Sequence, residues 1–185
     1  MRIIGGTHRG TALAAVGKGD MGAHLRPTTD RTRESLFNVL NGGRFGDPIQ
    51  DAKVLDLFAG TGALGLEALS RGAASVTFVD DGRVATKLIR ENIAKLRRQE
   101  DCTLVTRDAT KLGGGEPHSL VFLDPPYGRD LGAKALAAAL AGNWIAKDAL
   151  IVWEENAPQT APSGFALLEH RRYGDTHISF MEFTG

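Results

Sequence analysis

From residue 53 onward, apolar runs of strand length alternate with segments whose apolar side chains recur at helical spacing. Val54-Leu55-Asp56-Leu57-Phe58 reads as a strand, followed by a helix from about Ala63 to Arg71 that Gly72 ends. Ser75 to Val79 is a second strand. Its helix, Arg83 to about Arg98, places Val84, Leu88, Ile89, Ile93 and Leu96 at helical spacing. Thr103-Leu104-Val105 forms a third strand, and Gly113-Gly114-Gly115 a loop leading into a fourth, Leu120-Val121-Phe122-Leu123. An alanine-rich helix over about 131–141 precedes a fifth strand at Leu150-Ile151-Val152-Trp153. Two further strands, Phe165 to Tyr173 and His177 to Phe183, flank a turn at Gly174-Asp175. Repeated strand–helix units predict an α/β fold, its parallel sheet covered on both faces and joined by right-handed crossovers. The closing hairpin gives that sheet an antiparallel edge.

The first 45 residues have a different texture. Arg2-Ile3-Ile4 and Thr11-Ala12-Leu13 can pair as a hairpin around Gly5 to Gly10, and Gly17 to Gly22 reads as a mobile loop. Thr29 or Asp30 can cap a helix with Leu36, Phe37 and Leu40 on one face, ended near Gly42-Gly43. The division expected is an arm and helix over 1–45 and an α/β domain over 46–185.

Composition narrows the class. At 185 residues, 42% hydrophobic and 24% charged, the chain has the make-up of one packed domain of ordinary size. It holds no apolar stretch near the ~20 residues of a membrane span. Its first residues lack the apolar run of a signal peptide, so a cytoplasmic protein without membrane contact is expected. Cys102 is the only cysteine, which excludes an intramolecular disulfide or a cysteine-based metal site, and a buried thiol is the reading for it. Net charge is zero, yet residues 1–33 carry six basic side chains (Arg2, Arg9, Lys18, Arg26, Arg31, Arg33) against Asp20 and Asp30. A basic arm on a neutral body suits contact with phosphates on one face; a solvated terminus is the alternative.

Ligands of open α/β sheets sit outside the carboxyl ends of the strands, and four such ends here carry acids. The first opens Asp56-Leu57-Phe58-Ala59-Gly60-Thr61-Gly62-Ala63-Leu64-Gly65. Gly60 and Gly62 permit a tight turn against a ligand, and Gly65 lets the helix approach the strand. Asp80 is placed to accept from both ribose hydroxyls of an adenosine, and Asp108 from an adenine amine. The fourth end is Asp124-Pro125-Pro126-Tyr127, a carboxylate, a rigid backbone and an aromatic ring that together suit a nucleobase amine. The glycine loop also satisfies G-x-G-x-x-G, which keeps an NAD-dependent oxidoreductase as a rival. Asp56, placed to help hold a methionine amino group, favours S-adenosyl-L-methionine, and no hydride-transfer site follows in the chain. By this chemistry the amine can be adenine N6 of DNA or RNA, or cytosine N4 of DNA, although the chain has no room for a separate target-recognition domain.

Over nearly its whole length the chain resembles the RsmD family of 16S ribosomal RNA guanine-N2 methyltransferases. The matching stretches are Arg2 to Gly6, Leu25 to Phe37 (LRPTTDRTRESLF), Asp56 to Gly72 (DLFAGTGALGLEALSRG), Asp124 to Tyr127 and Tyr173 to Thr176. The resemblance implies a Rossmann-like methyltransferase fold: a mostly parallel seven-stranded sheet with a C-terminal antiparallel hairpin and a short N-terminal arm. It implies S-adenosyl-L-methionine as cofactor, held by Asp56, Phe58, Ala59, Gly60, Gly62, Asp80 and Asp108 and covered by Arg26 and Thr28. The implied target is N2 of one guanine, 966 in standard rRNA numbering, in the small ribosomal subunit or its assembly intermediate. Asp124, Pro125 and Tyr127 would be the catalytic residues, Arg9, Arg31 and Arg33 the RNA contacts, and the enzyme a metal-free monomer.

Overall fold

The computed structural model describes residues 1–16 and 28–185. After α1 (Asp30–Leu40) the chain runs β1 (Lys53–Leu57), α2 (Ala63–Ser70), β2 (Ser75–Val79), α3 (Arg83–Leu96), β3 (Cys102–Val105), β4 (His118–Leu123), α4 (Leu131–Ala141), β5 (Ile145–Glu155), β6 (Phe165–Tyr173) and β7 (Thr176–Phe183). The seven strands form one sheet in the order β3-β2-β1-β4-β5-β7-β6. Pairing is parallel from β3 through β5, and β7 joins β5 and β6 antiparallel. Strand order reverses direction at β1, between β2 and β4. That is the switch point where α/β sheets open a crevice.

Alternate side chains along the strands feed two cores. Val54, Phe78, Leu120, Phe122, Val152 and Phe180 pack under α1, α2 and α3. Leu57, Val79, Val121, Leu123 and Trp153 pack against Ala135, Leu136 and Ala139 of α4. Ile3, Leu13, Leu36, Phe37 and Leu40 belong to the first core, so the N-terminal segment shares its interior with the sheet. An Arg2–Ala12 bridge closes the expected hairpin. The Gly17–Gly22 loop and Arg26 lie outside the described residues.

Two elements are longer than their apolar patterns. β4 starts at His118, whose ring meets Trp144 O at 3.1 Å and Thr77 Oγ1 at 3.2 Å. β5 starts at Ile145, which pairs with His118. The exposed Lys147-Asp148 pair, with Asp148 at φ 65°, interrupts the alternation that would have marked its first half. Among the described residues no helix is long and apolar enough to cross a membrane.

A buried network that the sequence does not announce fixes the N-terminal segment. Glu67 of α2 is fully buried and accepts from Ile4 N–H and Gly5 N–H at 2.9 Å each, Arg33 Nε at 3.3 Å and Arg71 Nε at 2.8 Å. Arg33 also donates to Asp30 at 2.8 Å and to the Arg2 carbonyl. Ser70 donates to Gly5 O at 2.6 Å and accepts from His8 N–H at 2.9 Å.

Candidate active site

Register brings the strand ends together. Leu57 pairs with Val79 and Leu123, and Leu123 with Trp153, so Phe58, Asp80, Asp124 and Glu154 emerge side by side. Phe58 has the left-handed φ of 57°, a conformation costing a non-glycine residue about 1–2 kcal/mol. Gly60 (φ 62°) and Gly62 (φ 81°) continue the turn, and Ala59 N–H donates to Val79 O at 3.1 Å. Asp80 braces this loop: Oδ2 accepts from Gly60 N–H at 3.0 Å and Oδ1 from Gly82 N–H at 2.8 Å. Burial raises its pKa despite those two bonds. Each oxygen keeps a further acceptor site for a ribose hydroxyl.

Asp56 has a different fate. At 1% exposure it lies beneath the loop, Oδ2 accepting from Gly65 N–H at 3.0 Å. Burial pushes its carboxyl up to about 8, with the Asp80 charge adding to the effect. Gly65 is required there. A Cβ would stand 2.6 Å from Phe78 Cε1 and 2.7 Å from Val76 Cγ1. Asp108 caps a 3-10 turn over 109–111, Oδ1 accepting from Thr110 N–H at 2.8 Å and Thr110 Oγ1 at 2.7 Å, which lowers its pKa. Asn92 links arm to loop, donating to Ala14 O and Thr61 O at 3.0 and 2.9 Å.

At the end of β4, Asp124 N–H reaches Leu57 O at 3.4 Å. Asp124 and Tyr127 are half-buried and Pro125 is buried. The Tyr127 hydroxyl meets Thr176 Oγ1 at 3.4 Å, so the β6–β7 turn positions the ring. Thr28 stands on the Asp124 side of the crevice, its hydroxyl 3.4 Å from Asp124 Oδ2 and 3.1 Å from Glu154 Oε2. Glu154, 5% exposed, is a site residue that the sequence reading misses. Its signal is the one that marks Asp80 and Asp124, an acid directly after an apolar run. Beyond Tyr127 lies a recess of about 250 Å³ lined by Gly128, Asp130, Gly132, Trp153 and Glu155.

Arg9 and Arg31 are exposed, as phosphate contacts must be. Arg33 is corrected: fully buried and held by Glu67 and Asp30, it secures α1 and is out of reach of a phosphate. Arg171 and Arg172 are exposed at the end of β6, Arg171 paired with Glu169 and Arg172 donating to Gly174 O.

The loop, Asp80 and Asp124 together fit a cofactor with an adenosine end and a cationic methionine end. The family model for conserved hypothetical protein 95 matches residues 1–182. Ribosomal RNA small subunit methyltransferase D of Escherichia coli K12 is 40% identical over 171 residues, covering 90% of this chain and 82% of that protein. The Haemophilus influenzae protein of the same name is 34% identical over 181 residues, covering 94% and 89%. The solved structure of yhhF from Escherichia coli matches with a TM-score of 0.83 and 37% identity, over 100% of this chain and 98% of that one.

Proposed function

Since the chain belongs to the RsmD family, whose family description is conserved hypothetical protein 95, we propose that it moves a methyl group from S-adenosyl-L-methionine to N2 of one guanine in 16S rRNA. The observation that carries the reading is the emergence of the Asp80-braced glycine loop and Asp124-Pro125-Pro126-Tyr127 from paired strand ends. The loop and Asp80 thereby adjoin an acceptor for an amine. The relatives' names supply the RNA.

The cofactor contributes an electrophilic methyl group on a positively charged sulfur. In the proposed site Gly60, Gly62, Phe58 and Ala59 would bed its methionine end, Asp80 would take the ribose hydroxyls, and Asp108 lies toward the adenine. Asp56 holds the loop in shape from below. The guanine amine is a weak nucleophile because its lone pair is delocalised into the ring. Asp124 accepts one N2–H and the Pro125 carbonyl the other, so both acceptors face the positive charge that grows on nitrogen. Tyr127 stacks on the base and keeps N2 in line with the methyl carbon, an orientation worth effective molarities of up to ~10⁵ M or more. The bound cofactor would supply the methyl group, and the Asp124 carboxylate is placed to take the N2 proton that the amine gives up. The base must be unstacked to enter. Arg9 and Arg31, on an arm over residues 1–45, position the RNA through its phosphates, and the enzyme acts as a monomer on the small subunit or its assembly intermediate.

The test uses labelled S-adenosyl-L-methionine with unmodified small subunits, naked rRNA or DNA. Label in small-subunit rRNA is expected. Label on DNA alone, or on none of the three, would refute the proposal.

A further inference from the structure

We propose that Glu154 determines which nucleobase the site accepts, by taking the N1–H of guanine while Asp124 takes an N2–H. The inference rests on the guanine-N2 reading above. Leu123 and Trp153 are paired neighbours in parallel strands about 4.8 Å apart, and both point into the α4 core. The next residues, Asp124 and Glu154, therefore stand side by side on the opposite face, toward α1. The Thr28 hydroxyl touches both carboxylates, at 3.4 and 3.1 Å, so one donor group placed there reaches both. Glu155, by contrast, lies on the α4 side and accepts from Gly128 N–H at 3.3 Å.

The chemistry separates the bases. The pairing edge of guanine presents N1–H and the N2 amine as adjacent donors. Adenine has a lone pair at N1 beside its N6 amine, and cytosine one at N3 beside its N4 amine. A single carboxylate accepts from any of the three amines. A second acceptor alongside fits guanine alone and sets a carboxylate against a lone pair in the other two. Sites built to bond a substrate N–H reject analogues lacking it by factors of about 10⁴–10⁵.

The experiment uses an unmodified small-subunit rRNA whose target guanine is replaced by 2-aminopurine, which keeps the 2-amine and carries a lone pair at N1. Single-turnover transfer to the guanine and 2-aminopurine RNAs is measured for wild type, Glu154→Gln and Glu154→Asp, with cofactor affinity as the folding control. Wild type should prefer guanine at least about 100-fold. Glu154→Gln should shrink that ratio to below about 10-fold, and comparing ratios cancels the intrinsic reactivity of the two amines. An unchanged ratio in a variant that binds cofactor, or a wild-type ratio below about 10-fold, overturns the proposal. If Glu154→Gln loses cofactor binding, Glu154→Asp decides: it should slow guanine transfer and spare 2-aminopurine, and equal losses on both overturn the proposal. A wild-type enzyme inert on the guanine RNA would sink the underlying guanine-N2 reading, and this inference with it.

Discussion

Glu67→Gln should destabilise the protein more than almost any other isosteric change. Glu67 and Arg33 are both fully shielded from water, and Glu67 receives donors on each oxygen: Ile4 N–H and Arg33 Nε on one, Gly5 N–H and Arg71 Nε on the other. Whichever oxygen becomes the amide NH₂ then faces two donors with none accepting. Removing one partner of a buried ion pair costs about 3–5 kcal/mol. For a chain of this length each kcal/mol moves the melting temperature by about 2–4 °C, so a fall of about 6–20 °C is expected by calorimetry. Arg33→Met should cost less, because Arg71 and the two backbone donors still satisfy Glu67. The double variant should lose less than the sum of the singles, since the methionine removes the buried charge left uncompensated. A melting temperature for Glu67→Gln within about 3 °C of wild type, or strict additivity in the double variant, would refute the reasoning.

Gly65→Ala forces a Cβ to within 2.7 Å of Phe78 and Val76, so α2 must lift from the sheet. We expect a loss of about 1–3 kcal/mol in thermal melts and weaker S-adenosyl-L-methionine binding by titration calorimetry. Asp56 gives a pH dependence. Its carboxyl is raised from 3.8 to about 8 by folding, so between those pH values the folded state holds a proton the unfolded state has released. Stability from this group therefore falls as pH rises, by up to ~1.4 kcal/mol per unit. Melts from about pH 5 to pH 8 should show Asp56→Asn gaining on wild type; a constant difference would contradict the assignment. Arg9→Ala and Arg31→Ala should each lower the salt-dependence slope of RNA binding by about 0.7–0.9, with Arg33→Met leaving it unchanged.

The strand ends were legible in the sequence because an apolar run must stop where a proline, a glycine or an acid begins. Asp80 and Asp124 follow that pattern, and the parallel register lines them up. The pattern does not reveal which way an acid faces. Asp56 sits inside the apolar run of β1 and is buried beneath α2, its partner a backbone N–H nine positions later. Arg33 misleads for a related reason. Its charge belongs to Glu67, 34 residues away, and only the packing of α1 on α2 brings the two together. Thr28 stands in a basic, glycine-rich segment that points to the cofactor, whereas its hydroxyl lies against Asp124 and Glu154. β5 is legible by half, since its first residues alternate too little to be read as a strand.

The most direct measurement of the central claim is the identity of the methylated nucleoside. Small-subunit rRNA labelled by wild-type enzyme would be digested to nucleosides and resolved by mass spectrometry. The account predicts that the label lies in N2-methylguanosine, and that Asp124→Ala loses it while still binding S-adenosyl-L-methionine. Label in N6-methyladenosine, or Asp124→Ala transferring at the wild-type rate, would contradict it.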